Sequence, residues 1–328
     1  METIAEYGLK GVTSYTAYEN GRIEKCRLSA YNIIPTKYGS LVPQFNNPGI
    51  RRKDSKALSY YKSGKLRSIS LEEQTGITTS VGTFKAELIT FYENGSIDSL
   101  FPLNGQISFS WSEEEEGGLA EVYDFDLPIG KFKAKISGLR FYPNGSLKSL
   151  ILWPGEVIEL NTSVGRIAVR NGFKLYENGS LASLEPAEPI YVNTEAGLIK
   201  AYDSDAVGVD ADNNSLKLSE EGKIIGLATS GDILISNTRS GEKRVISSVI
   251  RPGLMEDFVK VPVHIEFKGQ QIGIDNSKEQ VTIPFNDCVL KIVFDKGLGK
   301  SACYGDCSMC SGCSSSFSSI LNTAEAAI

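Results

Sequence analysis

The chain is poor in the residues that most often carry enzyme and metal chemistry. Of its 328 residues, one is histidine, two are tryptophan, three are methionine and six are cysteine. A single histidine, His264, excludes metal sites built on several histidines, and it leaves one candidate base for serine or cysteine catalysis. No serine lies in the Gly-x-Ser-x-Gly sequence of a nucleophile elbow. The sequence therefore assigns no catalytic residue and favours a protein that is not an enzyme.

Long apolar runs and a surplus of positive charge are missing as well. No run of about eighteen apolar residues occurs, so no transmembrane helix is predicted. The first residues include Glu2 and Glu6 and no apolar stretch, which predicts no signal peptide and a cytoplasmic address. The net charge of −6 argues against nucleic acid as the main partner. We expect neither a nucleic acid nor a membrane as partner.

Two charged stretches are interpreted as solvated surface. The four consecutive glutamates in residues 112–118 repel one another and bury nothing, so the sequence predicts an exposed loop there. A loose basic stretch is likewise predicted to be an ordinary solvated face. It consists of Arg51, Arg52, Lys53, Lys56, Lys62, Lys65 and Arg67.

An internal repeat is the main positive feature of the sequence. The sequence motif Tyr-x-Asn-Gly-Ser occurs in residues 91–100, 141–150 and 175–184. Weaker copies begin at Ala17, Tyr60 and Asp212. A glycine precedes each copy in the sequence, and we call these residues the lead-in glycines. They are Gly8, Gly39, Gly82, Gly130, Gly165 and Gly197. We therefore expect six units over residues 5–228.

The amino-acid sequence of each repeat unit predicts a β-hairpin. Asn-Gly between β-formers favours a tight two-residue turn in which both residues have positive φ. The apolar residues Ile97 and Leu100 are three positions apart, which a β-bulge or a bent strand would explain. Strand signals also flank the lead-in glycines. Each unit is therefore predicted to be a lead-in strand followed by a hairpin.

One hairpin cannot bury its apolar face, whereas several stacked hairpins can. The sequence therefore predicts an all-β protein, an array of about six stacked hairpin repeats that forms an open sheet or a solenoid. The repeated tyrosines are expected in register, as a packing row rather than a ligand-binding row. They are Tyr18, Tyr92, Tyr142 and Tyr176.

These tyrosine-led segments resemble the MORN repeat in its bacterial variant form, and the antitoxin-like MORN-variant proteins look most alike. The resemblance covers about ten residues of each unit, and the glycine rhythm that closes a MORN unit is missing. It implies a hairpin array used as a protein-interaction or scaffolding surface. The lipid-headgroup role attached to the family is not carried over, because we expect no basic face on this array.

The repeat motif does not continue into residues 229–298. These residues contain six strand-like segments, which predict a β cap or a small β domain. Alternation in this region puts Val263 and Ile265 on one face and His264 on the polar face, as an ordinary surface residue. Cys26 and Cys288 lie in strand-like segments and are interpreted as buried, inert thiols.

Four cysteines cluster in the tail, residues 299–328, at Cys303, Cys307, Cys310 and Cys313. Thiolates prefer zinc, copper(I) or iron–sulfur clusters, and the short spacings resemble ferredoxin-type ligation in reverse order. A four-cysteine zinc site usually has a longer loop between two knuckles. Three interpretations stay open: an iron–sulfur or other metal site, a disulfide or redox-active tail, and a serine-rich tail without a bound species.

Three functions follow from these features. The leading one is an interaction scaffold for another protein, with a thiolate tail that binds metal. An electron-transfer or metal-delivery protein is the alternative, with the cysteine cluster as the working part. A hydrolase that acts on a polymer through carboxylates in a groove is the second alternative, and no motif assigns those carboxylates.

Metal analysis of protein purified without oxygen tests the tail. A bound iron–sulfur cluster gives a brown protein with broad visible absorbance, and Cys307→Ser and Cys310→Ser lose both the colour and the iron. Zinc in place of iron would support a colourless thiolate site. Metal-free protein with an unchanged thiol count would contradict both metal sites.

Overall fold

Antiparallel β-structure dominates the computed structural model, which describes residues 7–47, 49–52, 56–206, 214–252 and 258–294. Seventeen strands of these residues form one open sheet, so the predicted all-β class and open sheet are confirmed. All the described residues belong to the unit Met1–Phe294. A short helix, α1 (Glu113–Gly118), interrupts the β-structure. Within the described ranges no helix is both long enough and apolar enough to cross a membrane.

Hairpins with a glycine in the turn form the main sheet, and we call them the array hairpins. They are β1 (Val12–Ala17) with β2 (Ile23–Leu28), β5 (Leu58–Tyr60) with β6 (Leu66–Thr79), β7 (Gly82–Phe91) with β8 (Ile97–Phe101), β10 (Gly130–Phe141) with β11 (Leu147–Leu152), β13 (Gly165–Leu175) with β14 (Leu181–Pro186), and β17 (Leu216–Leu218) with β18 (Ile224–Thr229). Neighbouring hairpins join through the pairs β2–β5, β6–β7, β8–β10, β11–β13 and β14–β17.

The turn of each array hairpin is longer than the sequence suggests. In the third hairpin Tyr92 N donates to Ser96 O and Gly95 N donates to Tyr92 O, both at 2.8 Å. Only Gly95, with φ of 81°, has a positive φ, whereas Asn94 does not. The prediction of a two-residue turn is therefore wrong: residues 93–95 form a three-residue loop, in which a β-turn is followed by a left-handed glycine. Asn94 contributes its Oδ1, which accepts a hydrogen bond from Ser96 N at 2.9 Å.

A β-bulge follows each turn, as the sequence predicts. Thr90 pairs with Ser99 and Phe91 pairs with Ile97, which leaves Asp98 as the extra residue. The bulge turns Ile97 and Leu100 to the same side of the sheet although they are three positions apart. The same register shift occurs next to the turn of every array hairpin.

The turn tyrosines form a hydrogen-bonded ladder along the array. The hydroxyl of Tyr92 donates to the carbonyl of Phe141, the residue just before the next turn tyrosine, at 2.9 Å. The predicted register of the tyrosines is thus confirmed, and Tyr61 joins them. The other contacts are Tyr18 to Tyr60 O, Tyr61 to Phe91 O, Tyr142 to Leu175 O and Tyr176 to Leu218 O.

The sixth array hairpin turns at a different place from the predicted copy at Asp212. Its turn runs from Ser219 to Lys223, where Ser219 N donates to Lys223 O at 2.8 Å. Gly222, with φ of 80°, supplies the left-handed residue. The prediction was wrong because Ser-Glu-Glu-Gly lacks both the tyrosine and the asparagine of the repeat, although the turn requires only the glycine. Asp212 itself lies outside the described residues.

A second set of hairpins, the lead-in hairpins, folds back over one face of the array. They are β3 (Ile34–Thr36) with β4 (Gly39–Leu41), the second half of β6 with the first half of β7, β9 (Val122–Leu127) with β10, β12 (Val157–Thr162) with β13, and β15 (Ile190–Thr194) with β16 (Gly197–Ala201). Their tips contact the array turns, where Ser80 Oγ donates to Gly145 O at 2.8 Å. Phe132 of a lead-in hairpin meets Phe173 of the main sheet at 6.1 Å between ring centroids.

The core lies between these two layers. Strand pairing aligns one apolar residue of every array strand from β2 onward into a single row, which we call the core row. Each of its members is at most 2% exposed. They are Cys26, Leu58, Ile69, Ile89, Leu100, Leu139, Leu150, Phe173, Leu184, Leu216 and Leu227.

The strands after the array extend the same sheet. β23 (Val263–Lys268) pairs with β18, followed by β24 (Gln271–Asp275) and β25 (Gln280–Pro284). The remaining strands form small sheets: β19 (Asp232–Asn237), β20 (Lys243–Ile246) and β26 (Cys288–Phe294) in one, and β21 (Val249–Arg251) and β22 (Val259–Val261) in another. The strand-like segments of the second region are thus strands. The boundary proposed at residue 229 stays a prediction.

A substitution of Gly172 tests whether the bend between the two halves of β13 requires a glycine. It has φ of +131°, and a Cβ there would lie 2.0 Å from Leu150 O of the neighbouring strand. We expect Gly172→Ala to destabilise the protein by about 3 kcal/mol or more, measured by urea unfolding. The control Gly145→Ala has open space around its Cβ and should cost only about 1 kcal/mol for its left-handed backbone. Equal losses would show that the close approach at Gly172 is unimportant.

Candidate functional site

The predicted thiolate site at Cys303, Cys307, Cys310 and Cys313 lies outside the described residues and stays a prediction. Among the residues that are described, no group of three or more His, Cys, Asp or Glu could hold a metal ion. Cys26 is 2% exposed. Burial raises the pKa of its thiol to about 11, so Cys26 is the inert thiol that the sequence predicts. Cys288 begins β26.

Arg51 joins the two charged stretches that the sequence places in solvent. Its guanidinium donates to both carboxylate oxygens of Glu87, at 2.8 and 2.9 Å, and to both of Glu116, at 2.7 and 2.9 Å. Glu87 and Glu116 are 5% and 3% exposed. The predictions of a solvated basic face at Arg51 and of an exposed loop at Glu116 are therefore wrong. We call this arrangement the arginine clamp.

Local sequence explains how Glu116 reaches the arginine clamp. Ser112 caps α1 and exchanges hydrogen bonds with Glu115 in a capping box, so the glutamate run forms a short helix. The helix turns Glu116 inward, where it also accepts from Trp111 Nε1 at 2.7 Å. Burial acts to raise the pKa of Glu116, but the hydrogen bonds from Arg51 and Trp111 outweigh it and hold the pKa below its ordinary value.

The arginine clamp fixes two loops that display apolar side chains. Gln106 N donates to Arg51 O at 2.8 Å, which ties the loops together. Ile50 is 69% exposed, Ile107 is 52% exposed and Phe109 is fully exposed. We call these three residues the loop surface. Exposed apolar residues on a rigid support are typical of protein-docking sites. The sequence offered no signal for them, because hydrophobic residues in a loop do not reveal which way they point.

A second buried charge lies where the fifth and sixth array hairpins meet. Glu185, 1% exposed, accepts hydrogen bonds from Ser215 N at 2.8 Å and from Ser215 Oγ at 2.9 Å. Arg170 lies 3.7 Å from Glu185 and packs over the ring of Tyr202. Burial raises the pKa of Glu185 to about 7, because the hydrogen bonds from Ser215 compensate only in part.

The carboxylates at the arginine clamp and at the junction of the fifth and sixth array hairpins are buried. Glu87 and Glu116 share the guanidinium of Arg51 and are both buried, and the hydrolase alternative stays a prediction. Glu185 is likewise closed off from solvent. His264 lies half-buried on the polar face of β23, as predicted. Its pKa is lowered by burial and by the charge of Lys217.

The outer face of the main sheet carries a polar row that the sequence analysis missed. Strand pairing aligns Arg140, Ser149, Lys174, Ser183 and Lys217 side by side. The two serines are each only 4% exposed. Their burial is consistent with the long stems of the neighbouring cations lying across them. Three of the five members are half-buried cations, and the expectation that the array carries no basic face stays a prediction.

Comparison of the chain with protein-family models, with curated proteins and with solved structures finds no match. The resemblance to MORN-variant repeats therefore stays a prediction from the Tyr-x-Asn-Gly segments.

The pKa of Glu185 predicts a pH-dependent stability. Its pKa lies near 7 in the folded protein, above the ordinary 4.5, so folding favours the protonated form. The contribution of protonated Glu185 to the unfolding free energy is therefore complete below about pH 4.5 and is lost as the pH rises through about 7. It amounts to about 3 kcal/mol at most. Glu185→Gln removes this loss. We expect its unfolding free energy, relative to the parent, to rise over that interval.

Urea unfolding at pH 5 and pH 8 measures the difference. Glu188→Gln, at an exposed neighbouring position, is the control and should follow the parent at both pH values. A constant difference between Glu185→Gln and the parent would contradict the raised pKa.

Proposed function

We propose that this chain is a scaffold that binds another protein through the loop surface of Ile50, Ile107 and Phe109. The observation that supports this proposal is the full exposure of Phe109 on loops that the arginine clamp holds in place. A partner that covers a large exposed aromatic side chain removes its apolar surface from water, and this burial favours binding.

The rigidity of the support favours binding. Arg51 makes four hydrogen bonds to two carboxylates, and Gln106 N adds a main-chain bond between the loops. Loops that are ordered before binding lose less conformational entropy when a partner docks. Aromatic anchors of this kind usually contribute most of the affinity of an interface.

The charges beside the loop surface favour a basic partner. Glu113 and Glu114 are exposed on α1, within five residues of Phe109 in the sequence. Acidic side chains at the rim of an interface speed the approach of a positively charged partner and disfavour acidic ones. We therefore propose an apolar socket rimmed by lysine or arginine on the partner.

The remaining assignments belong to the same proposal. The scaffold is placed in the cytoplasm, and the cysteines at 303, 307, 310 and 313 form an accessory metal-binding tail. No step of the proposed binding depends on that tail, so the two parts can be tested separately.

Quantitative cross-linking in the source cells tests the loop surface. We expect Phe109→Ser combined with Ile107→Ser to reduce capture of the main partner at least tenfold, because the apolar anchor is lost. Tyr191→Ser, which changes another exposed aromatic residue, is the matched control and should capture the partner like the parent.

Deletion of residues 300–328 should leave the capture unchanged. Capture that survives the double loop variant but is lost with the tail would contradict the proposal and favour the metal-delivery alternative.

A further inference from the structure

Strand β1 forms an unusually open end of the main sheet. Among the described residues it pairs only with β2, and five of its six residues are exposed. Val12–Ala17 contains neither a charge nor a proline. Edge strands of natural sheets usually carry such residues, because they prevent pairing with other chains. The strand at the opposite end, β25, does end in a proline, Pro284.

The residue of β1 that continues the core row is partly exposed to solvent. Tyr15 pairs with Cys26 and therefore occupies the position of the core row in the first strand. Cys26 is 2% exposed, whereas Tyr15 is 47% exposed. Every other array strand has its member of the core row covered by a neighbouring strand on each side. Tyr15 lacks such a neighbour on its outer side within the described chain.

The tyrosine ladder leaves one acceptor position unused at this end. In each later array hairpin, the carbonyl just before the turn accepts the hydroxyl of the preceding hairpin's tyrosine. The equivalent residue of the first hairpin is Ala17, directly before Tyr18. No tyrosine hydroxyl of the described chain donates to Ala17 O. At the other end Ser219 replaces the tyrosine, so the ladder has no further donor there.

The main chain of β1 directs groups that have no strand partner within the described chain toward the same edge. The carbonyl of Cys26 accepts from Ala57 N at 2.8 Å, so the main chain of Cys26 faces β5. In an antiparallel pair the residue opposite then directs its own N–H and C=O away from the partner strand. The N–H and C=O of Tyr15 therefore point outward, toward the open edge.

We propose that β1 is a docking edge for a β-hairpin of the same tyrosine-turn type, supplied by another protein. The second strand of that hairpin pairs antiparallel with β1, its apolar side covers Tyr15, and its turn tyrosine donates to Ala17 O. This interface continues one that the chain already forms five times between its own array hairpins. It is separate from the loop surface and does not rest on the proposed function.

A second copy of this chain is a poorer occupant. Each of its array hairpins after the first is already paired on both sides, and its last sheet strand, β25, ends in Pro284. Its own first hairpin has the turn tyrosine Tyr18 engaged with Tyr60 O at 2.9 Å. A partner with an unengaged hairpin fits the edge without these conflicts.

A synthetic hairpin provides the probe. The peptide has the sequence of residues 88–101, with two added lysines at each end for solubility, and is titrated into the full-length, nitrogen-15-labelled protein. We expect changes in the amide signals of β1, centred on Tyr15 and Ala17. The same peptide with Tyr92→Phe should bind about 3- to 10-fold more weakly, because it lacks the hydroxyl that reaches Ala17 O.

Two variants at one position separate main-chain pairing from side-chain contact. Tyr15→Pro removes the outward N–H and should weaken peptide binding more than tenfold. Tyr15→Thr loses the ring but keeps the N–H, and should weaken binding by a smaller factor. Thermal unfolding confirms that both variants fold.

Several results would overturn the proposal. These are equal binding by Tyr15→Pro and the parent, equal binding of the two peptides, and amide changes centred on β25. A parent dimer that Tyr15→Pro dissociates, seen by analytical ultracentrifugation, would assign the edge to a second copy instead. Peptide binding that appears only after deletion of residues 295–328 would assign it to the chain's own tail. None of these results bears on capture through Phe109, so this proposal can fail while the proposed function stands.

Discussion

Burial of one side of each hairpin is the constraint on which the rest of this structure depends. A two-stranded hairpin has no interior, so its apolar residues leave water only when other strands cover them. Here the neighbouring array hairpins cover them laterally and the lead-in hairpins cover them from one face, and the core row from Cys26 to Leu227 becomes almost inaccessible. The bulge after each turn makes this arrangement work, because it brings residues such as Ile97 and Leu100 to the same side.

The two layers explain where buried charge is found. Glu87 and Glu185 are buried in array strands β7 and β14, away from the turns. Arg51 pairs with the carboxylate of Glu87, whereas the hydrogen bonds from Ser215 compensate the burial of Glu185 only in part. A buried carboxylate without such donors would be strongly destabilising. The arginine clamp therefore meets a requirement of burial and, as a consequence, holds the loops that carry Phe109.

Much of the architecture could be predicted because turn chemistry is local. Four Tyr-x-Asn-Gly segments and the weaker copy with Ser63-Gly64 identified five of the six array turns, the bulge and the register of the tyrosines. The sixth turn was missed because Gly222 follows two glutamates rather than an asparagine. The glutamate run was assigned to solvent because charge repulsion was considered without the capping box of Ser112 and Glu115, which makes a helix and turns Glu116 inward. The cysteine tail stays a prediction.

The sequence by itself determined the hairpins, since each turn joins residues only a few positions apart and its geometry is dictated by the glycine within it. It also determined which side of each strand is apolar. Only the tertiary structure decided that Arg51 meets Glu87 and Glu116, which are 36 and 65 residues away in the chain. The exposure of Phe109 and the open edge at Tyr15 were decided there too. Contacts between distant residues depend on how the hairpins stack, and no local pattern records that stacking.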